Sequence, residues 1–304
     1  MKIIVDTDPG QDDAMALMLL LKSRSIDIAA VTTVAGNSTI ANTTRNAAYI
    51  LELLGRKDVP LYSGAAKPLE RKLIRAVVHG ESGLDGVDLK NIEGPLTNNA
   101  AEKIVDIIKQ SLEPVTLLTL GPLTNIARAI MHDPETMARV HQIVIMGGAF
   151  EVAGNKNRVA EFNMFVDPEA ASIVLDLPVK KVFVPLDVCN HIQLKLTDFK
   201  QINEPTLREP LIAMNRPYID KLKEDMAADG ALMYDVLAAY YLLEPEKCPT
   251  QEINIELETK GVYTRGMTII DRRPVQDGKK PNAERVTSIP ARAFRSRFTA
   301  ALNS

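Results

Sequence analysis

Lys2-Ile3-Ile4-Val5-Asp6-Thr7-Asp8-Pro9-Gly10-Gln11-Asp12-Asp13-Ala14 is the stretch on which the reading of the chain turns. Residues 2–5 form a brief apolar run rich in β-branched side chains, the mark of a buried strand. The run breaks at Asp6, Pro9-Gly10 is a turn pair, and residues 14–23 read as a helix. The same alternation recurs downstream. Residues 28–34, 115–120, 143–146 and 181–185 read as buried strands, and residues 40–54, 100–111, 124–131 and 168–175 as helices. Strands that alternate with helices predict an open, mainly parallel α/β sheet with helices on both faces.

The last third changes character. Residues 211–228 and 234–243 read as helices, residues 252–259 and 262–270 as an antiparallel pair turning at Lys260-Gly261, and residues 291–302 as a closing helix. No linker, low-complexity tract or internal repeat interrupts the 304 residues, so one domain spanning 1–304 is expected. Hydrophobic residues at 46% and charged residues at 25% exclude a disordered chain. A formal net charge of −3 gives no reason to expect nucleic acid or an anionic membrane as partner. Cys189 and Cys248 show neither metal-type spacing nor a disulfide framework, which fits a reduced, cytoplasmic setting. The apolar run at 3–5 is too short for a secretory signal, and no stretch is long enough to span a bilayer.

In open α/β sheets ligands bind beyond the carboxyl ends of the strands. Attention therefore falls on residues 6–13, 35–38, 121–125, 147–163 and 187–191. The first is the densest in chemistry: Asp6, Asp8, Asp12 and Asp13 lie at a strand end and a helix start. The Pro9-Gly10 turn can fold Asp12 and Asp13 back beside Asp8. Like charges this close raise one another's pKa unless a cation intervenes, and a helix N-terminus offsets only about 0.3–1 kcal/mol. Hard carboxylate oxygens without nearby Cys or His favour Ca²⁺ or Mg²⁺ over Zn²⁺. Asp-x-Asp after a first strand also opens haloacid-dehalogenase-type phosphatases, but Pro9 and the Asp12-Asp13 doublet fit that pattern poorly.

Asp6 to Ala14 resembles the opening signature of the inosine-uridine-preferring nucleoside hydrolase family. Further matches follow in family order: Gly36-Asn37, His79-Gly80-Glu81-Ser82-Gly83-Leu84-Asp85-Gly86, Gly121-Pro122-Leu123-Thr124-Asn125, Met146-Gly147-Gly148, Glu161-Phe162-Asn163, Asp167-Pro168-Glu169-Ala170-Ala171 and Leu186-Asp187-Val188. The resemblance runs from Lys2 to about residues 258–266. It implies hydrolysis of the N-glycosidic bond of ribonucleosides by a calcium-bound water. The Ca²⁺ ligands would be Asp8, Asp13, the main-chain carbonyl of Leu120 and Asp235, with ribose hydroxyls completing the shell. Members often have Thr at the position of Leu120, but a main-chain ligand tolerates the change.

By the same resemblance Asp12 and Asn163 hold ribose hydroxyls, and Asn155 and Glu161 the 5′-hydroxyl. Asn37 lies near the ribose and the attacking water, Met146 packs on the sugar, and His79 sits near the base. Asp8 is the candidate base for the water's proton. Family analogy implies a homodimer or homotetramer. One departure matters: many members read His-Asp where this chain has Tyr234-Asp235, and that histidine is the leaving-group acid in inosine-cleaving enzymes. Tyr234 is therefore a candidate substitute acid. A paralogue that binds nucleoside or ribose with calcium, but no longer turns it over, is the second function class. Residues 71–88 and 148–158 read as lids over the site, and residues 215–230 as its border, with Tyr218 in contact.

Overall fold

A computed structural model describes residues 1–304 except 274, 276 and 277, together with all side chains used below. The main-sheet strands are β1 (Lys2–Thr7), β2 (Asp27–Thr33), β3 (Leu61–Ser63), β4 (Val115–Thr119), β5 (Gln142–Met146) and β6 (Lys180–Val184). Two strands of two residues follow, β7 (Gln193–Leu194) and β8 (Ala231–Leu232), then β9 (Thr250–Ile253), β10 (Ile255–Leu257), β11 (Thr268–Ile270) and β12 (Ala283–Val286). The large sheet has eight strands in the order β3-β2-β1-β4-β5-β6-β12-β9. All neighbours pair in parallel except β9, which runs antiparallel to β12 at the edge.

The buried strand residues alternate between two cores. Ile3, Val5, Leu118, Val144, Val182 and Val184 face one, and Ile4, Leu117, Ile143, Ile145 and Phe183 the other. This period of two follows from the pleat, and it requires helices on both faces. On the first face lie α1 (Gln11–Leu21) and α2 (Ile40–Leu53); on the second lie α3 (Ala100–Gln110), α4 (Thr124–His132) and the single turn α5 (Pro134–Met137). The short α6 (Phe162–Val166) leads into α7 (Pro168–Asp176), also on the second face. The turns α8 (Leu186–Cys189) and α9 (Leu196–Phe199) precede α10 (Pro205–Met226), α11 (Tyr234–Leu243) and α12 (Ala291–Leu302) on the first face. Every residue of α1 is buried, which its nearly unbroken apolar sequence permits.

The predicted strands and helices recur within a few residues of their expected ends. The C-terminal pair is corrected in one respect. Only Ile255–Leu257 pairs with Thr268–Ile270, because residues 250–253 join the large sheet against β12 instead. The helix expected at 211–228 begins earlier, at Pro205, and ends where Ala227 turns to a left-handed φ of 54°. Pro217 inside it has no amide to give the Ala213 carbonyl. Gly86, at φ +106°, packs on that carbonyl so closely that a Cβ there would collide with it. No helix among the described residues is long and apolar enough to cross a membrane.

Candidate active site

The order of the sheet reverses beside β1: the chain steps outward through β2 to β3, then returns to β4 on the other side of β1. The strand ends at such a switch point splay and leave a crevice. Asp8 follows β1 there, Asn37 follows β2, Leu120 follows β4, and Met146 ends β5.

Asp13, in the first turn of α1, organises the crevice. Its carboxylate accepts from Thr7 Oγ1 at 2.5 Å, Gly10 N at 3.0 Å, Asn37 Nδ2 at 3.0 Å and Asp8 N at 3.3 Å. The Gly10 contact folds the turn back onto the helix start, as the Pro9-Gly10 pair suggested. Asp8 Oδ2 accepts from Asn37 N at 2.6 Å, whereas Asp8 Oδ1 is buried with no partner among the described residues. That carboxylate sits between Gly36 and Gly121, and a side chain on either glycine would meet it. Asp12, Asp13 and Asp235 each bring an oxygen within 4.8 Å of the others. Burial first, then mutual repulsion, raises the carboxyls of Asp8, Asp12 and Asp235 far above their ordinary range.

A cavity of about 410 Å³ opens over this cluster. Asp12, Asn37, His79, Leu120, Met146, Asn155, Glu161, Asn163, Tyr234 and Asp235, all singled out from the sequence, line it, and so does Tyr218. Asp8 and Asp13 are fully buried and do not line it. Asn163 Nδ2 donates to the Leu120 carbonyl at 2.7 Å and to the Met146 carbonyl at 3.3 Å, tying β4 to β5. Glu161 caps α6, accepting from Asn163 N at 2.8 Å, Met164 N at 3.2 Å and Gly148 N at 3.4 Å. Burial nevertheless pushes its carboxyl up to about 7. Asn155 Oδ1 accepts from Phe162 N at 2.8 Å and holds the 147–163 loop against α6.

His79 is only 7% exposed, although its Gly-rich surroundings in sequence suggest surface. Its ring stacks on Tyr218 at 5.2 Å between centroids, and burial pulls its pKa down to about 4. Tyr234 donates its hydroxyl proton to Asn190 Oδ1 at 3.0 Å. The sequence reading did not single out Lys156, Phe162, Leu222 or Leu232, which also line the cavity, or Gln11, which bonds His79. Gln11 and Phe162 carried a usable signal, because they stand inside the aspartate motif and the Glu161-Phe162-Asn163 motif.

Comparison with known proteins agrees with this geometry. A family model described as inosine-uridine preferring nucleoside hydrolase matches residues 3–296. The pyrimidine-specific ribonucleoside hydrolase RihA of Salmonella agona is 40% identical over 299 residues, 96% of this chain and 95% of that protein. Among solved structures, a plant nucleoside hydrolase, the PpNRh1 enzyme, superposes with a TM-score of 0.90 at 28% identity, covering 100% of this chain and 99% of that one. A purine-preferring ribonucleoside hydrolase from Gardnerella vaginalis gives 0.89 at 27% identity, covering 100% and 98%. The chain belongs to the inosine-uridine preferring nucleoside hydrolase family, enzymes that cleave the N-glycosidic bond of ribonucleosides.

Proposed function

We propose that this chain hydrolyses ribonucleosides to ribose and free base, with Ca²⁺ at the carboxylate cluster and Asp8 as the base. The observation that carries the reading is that Asp12 and Asp235 line one cavity with Asn37, Asn163 and Glu161, while Asp13 brings a third carboxylate oxygen within 4.8 Å of theirs. The donors suit a hard divalent ion: they are all oxygens, and one of them, Asp8 Oδ1, is buried and unpartnered. Asp8, Asp13, Asp235 and the Leu120 carbonyl would hold it, with Asp12 alongside. When bound, such an ion lowers the pKa of water in its shell and orients sugar hydroxyls.

The protein's own groups supply the rest. Asp8, oriented by the bond from Asn37 N to its Oδ2, is the group to take a proton from the attacking water. Asn163 spends its amide nitrogen on two carbonyls, leaving its oxygen to accept from a ribose hydroxyl. Glu161, held by main-chain amides, keeps lone pairs for the 5′-hydroxyl, with Asn155 beside it. Departure of the base leaves an oxocarbenium-like ribosyl ring, and the surrounding carboxylates stabilise its positive charge. Met146 offers that ring an apolar floor. His79 and Tyr234 also line the cavity, and the base would lie against them.

A pyrimidine ribonucleoside is the first substrate to test, because the Salmonella agona relative is named pyrimidine-specific. The same reading includes a cytoplasmic homodimer or homotetramer, whose oligomeric part sedimentation tests. The central experiment is release of reducing sugar from cytidine, uridine and inosine with Ca²⁺ present. Asp8→Asn should slow release by about 10²–10⁴-fold, the usual weight of a general base. Binding of nucleoside without any release would favour the non-catalytic paralogue.

A further inference from the structure

Two polar groups in the cavity lining, His79 and Tyr234, have hydrogen-bond partners that locate their protons. Gln11 meets His79 twice: its Nε2 donates to the His79 carbonyl at 3.5 Å, and its Oε1 lies 2.6 Å from His79 Nδ1. The first contact turns the amide nitrogen away from the ring, so the amide oxygen faces Nδ1. An amide oxygen only accepts, so Nδ1 carries the ring proton. The Nδ1 edge is pressed against Gly10, where an added Cβ would lie 2.6 Å from Nδ1, and one ring face is taken by Tyr218. The remaining nitrogen, Nε2, has no protein hydrogen bond among the described residues, and burial keeps the ring neutral near pH 7. It is a lone pair. Tyr234 is in the same position by another route: its single proton goes to Asn190 Oδ1, and only lone pairs remain on its oxygen.

Taking the site as a nucleoside hydrolase centre, we infer that His79 Nε2 and Tyr234 Oη form an acceptor wall against the leaving base. It selects bases with an exocyclic amino group, cytosine and adenine, over their keto counterparts uracil and hypoxanthine. An amino group brings two N–H donors to such a wall. A carbonyl in its place sets lone pairs against lone pairs, and neither side can bond. Uracil keeps one ring N–H, but two carbonyl oxygens flank it. Gln11 and Asn190 are positioning residues: each acts by fixing where its partner's proton lies. Tyr218, whose hydroxyl has no protein hydrogen bond among the described residues, can turn to donate to a ring oxygen or nitrogen that both kinds of base share.

The test compares kcat/KM for cytidine against uridine and for adenosine against inosine in the Ca²⁺-loaded protein. The amino member of each pair should lead by about tenfold or more, the penalty for leaving a buried polar group unpaired. Tyr234→Phe, which deletes one acceptor, should shrink the cytidine/uridine ratio. Asn190→Leu, which frees the phenol to turn its proton inward, should move the ratio toward uridine. Nitrogen-15 NMR, with the His79 signals assigned by their absence in His79→Gln, should show Nδ1 protonated and Nε2 bare. A parent ratio at or below one, a ratio untouched by Tyr234→Phe, or the opposite His79 tautomer would overturn the inference. Nitrophenyl riboside, whose leaving group needs no protonation, keeps the two questions apart. If it is cleaved while the amino preference is missing, the acceptor wall falls and the hydrolase reading stands. If neither it nor any nucleoside is cleaved, the hydrolase reading itself falls, and the wall with it.

Discussion

Stripping the divalent ion should turn the carboxylate cluster into a pH-dependent liability. Burial and mutual repulsion raise Asp8, Asp12 and Asp235, and burial raises Asp6 beneath them to about 7. In the unfolded chain these groups ionise near their ordinary value of 3.8. Between that value and about 7 the folded protein without its ion therefore binds more protons than the unfolded chain, so its stability falls as pH rises. Each proton taken up on folding contributes a slope of about 1.4 kcal/mol per pH unit. One net proton over two pH units amounts to about 3 kcal/mol, on the order of 5 °C in Tm for a chain of this size. Bound Ca²⁺ would keep the same carboxylates ionised and flatten the slope, while adding its own binding free energy. His79 works in the opposite sense, but it enters both scans alike and cancels in their difference. The assay is Tm by calorimetry from about pH 5 to about pH 7, in chelator and in Ca²⁺. Parallel curves would refute the argument, because they would mean that no proton uptake is linked to the empty cluster.

Three further outcomes are expected. His79 is lowered from 6.5 to about 4, so its contribution to stability is present above about pH 6.5 and is lost as pH falls toward 4; His79→Gln should flatten this acid limb in urea titrations, and an unchanged limb would place the effect elsewhere. Asn163→Ala removes the donor shared by the Leu120 and Met146 carbonyls, and each carbonyl left unpaired and dry costs about 1–3 kcal/mol; kcat/KM should drop at least about tenfold, and a change confined to Tm would make Asn163 structural only. Hydrogen exchange at residues 71–88 and 148–158 should slow when a ribose-like inhibitor is bound, if these loops close over the cavity; equal exchange with and without it would reject a lid.

Much of the fold was legible because it depends on near neighbours in the chain. The apolar runs that became β1, β2, β4, β5 and β6 are each followed by polar turns, and the helices between them start and stop close to the expected residues. In the large sheet, the strands that escaped notice are β3 and β12, with three and four residues, too few to show a pattern. They exist because the neighbouring strands β2, β6 and β9 offer open hydrogen-bonding edges. The same competition moved residues 250–253 from the expected hairpin to the large sheet.

The candidate site divides along the same line. Asp8, Asp12 and Asp13 announced themselves, since four acidic side chains so close together at a strand end are costly without a partner. Asp235, far along the chain, was reached only through the order of motifs, and the structure brings its oxygen within 4.8 Å of Asp12 and Asp13. What the sequence determined by itself was which strand ends gather polar side chains, and most of the residues it named line one cavity. Only the tertiary structure decided that His79 is buried, that the Gln11 amide oxygen lies opposite its Nδ1, and that Asn190 accepts from Tyr234. The reason is physical: helix and strand patterns are set by residues a few positions apart, whereas the place of a proton is set by the acceptor lying opposite, and that acceptor can come from anywhere in the chain.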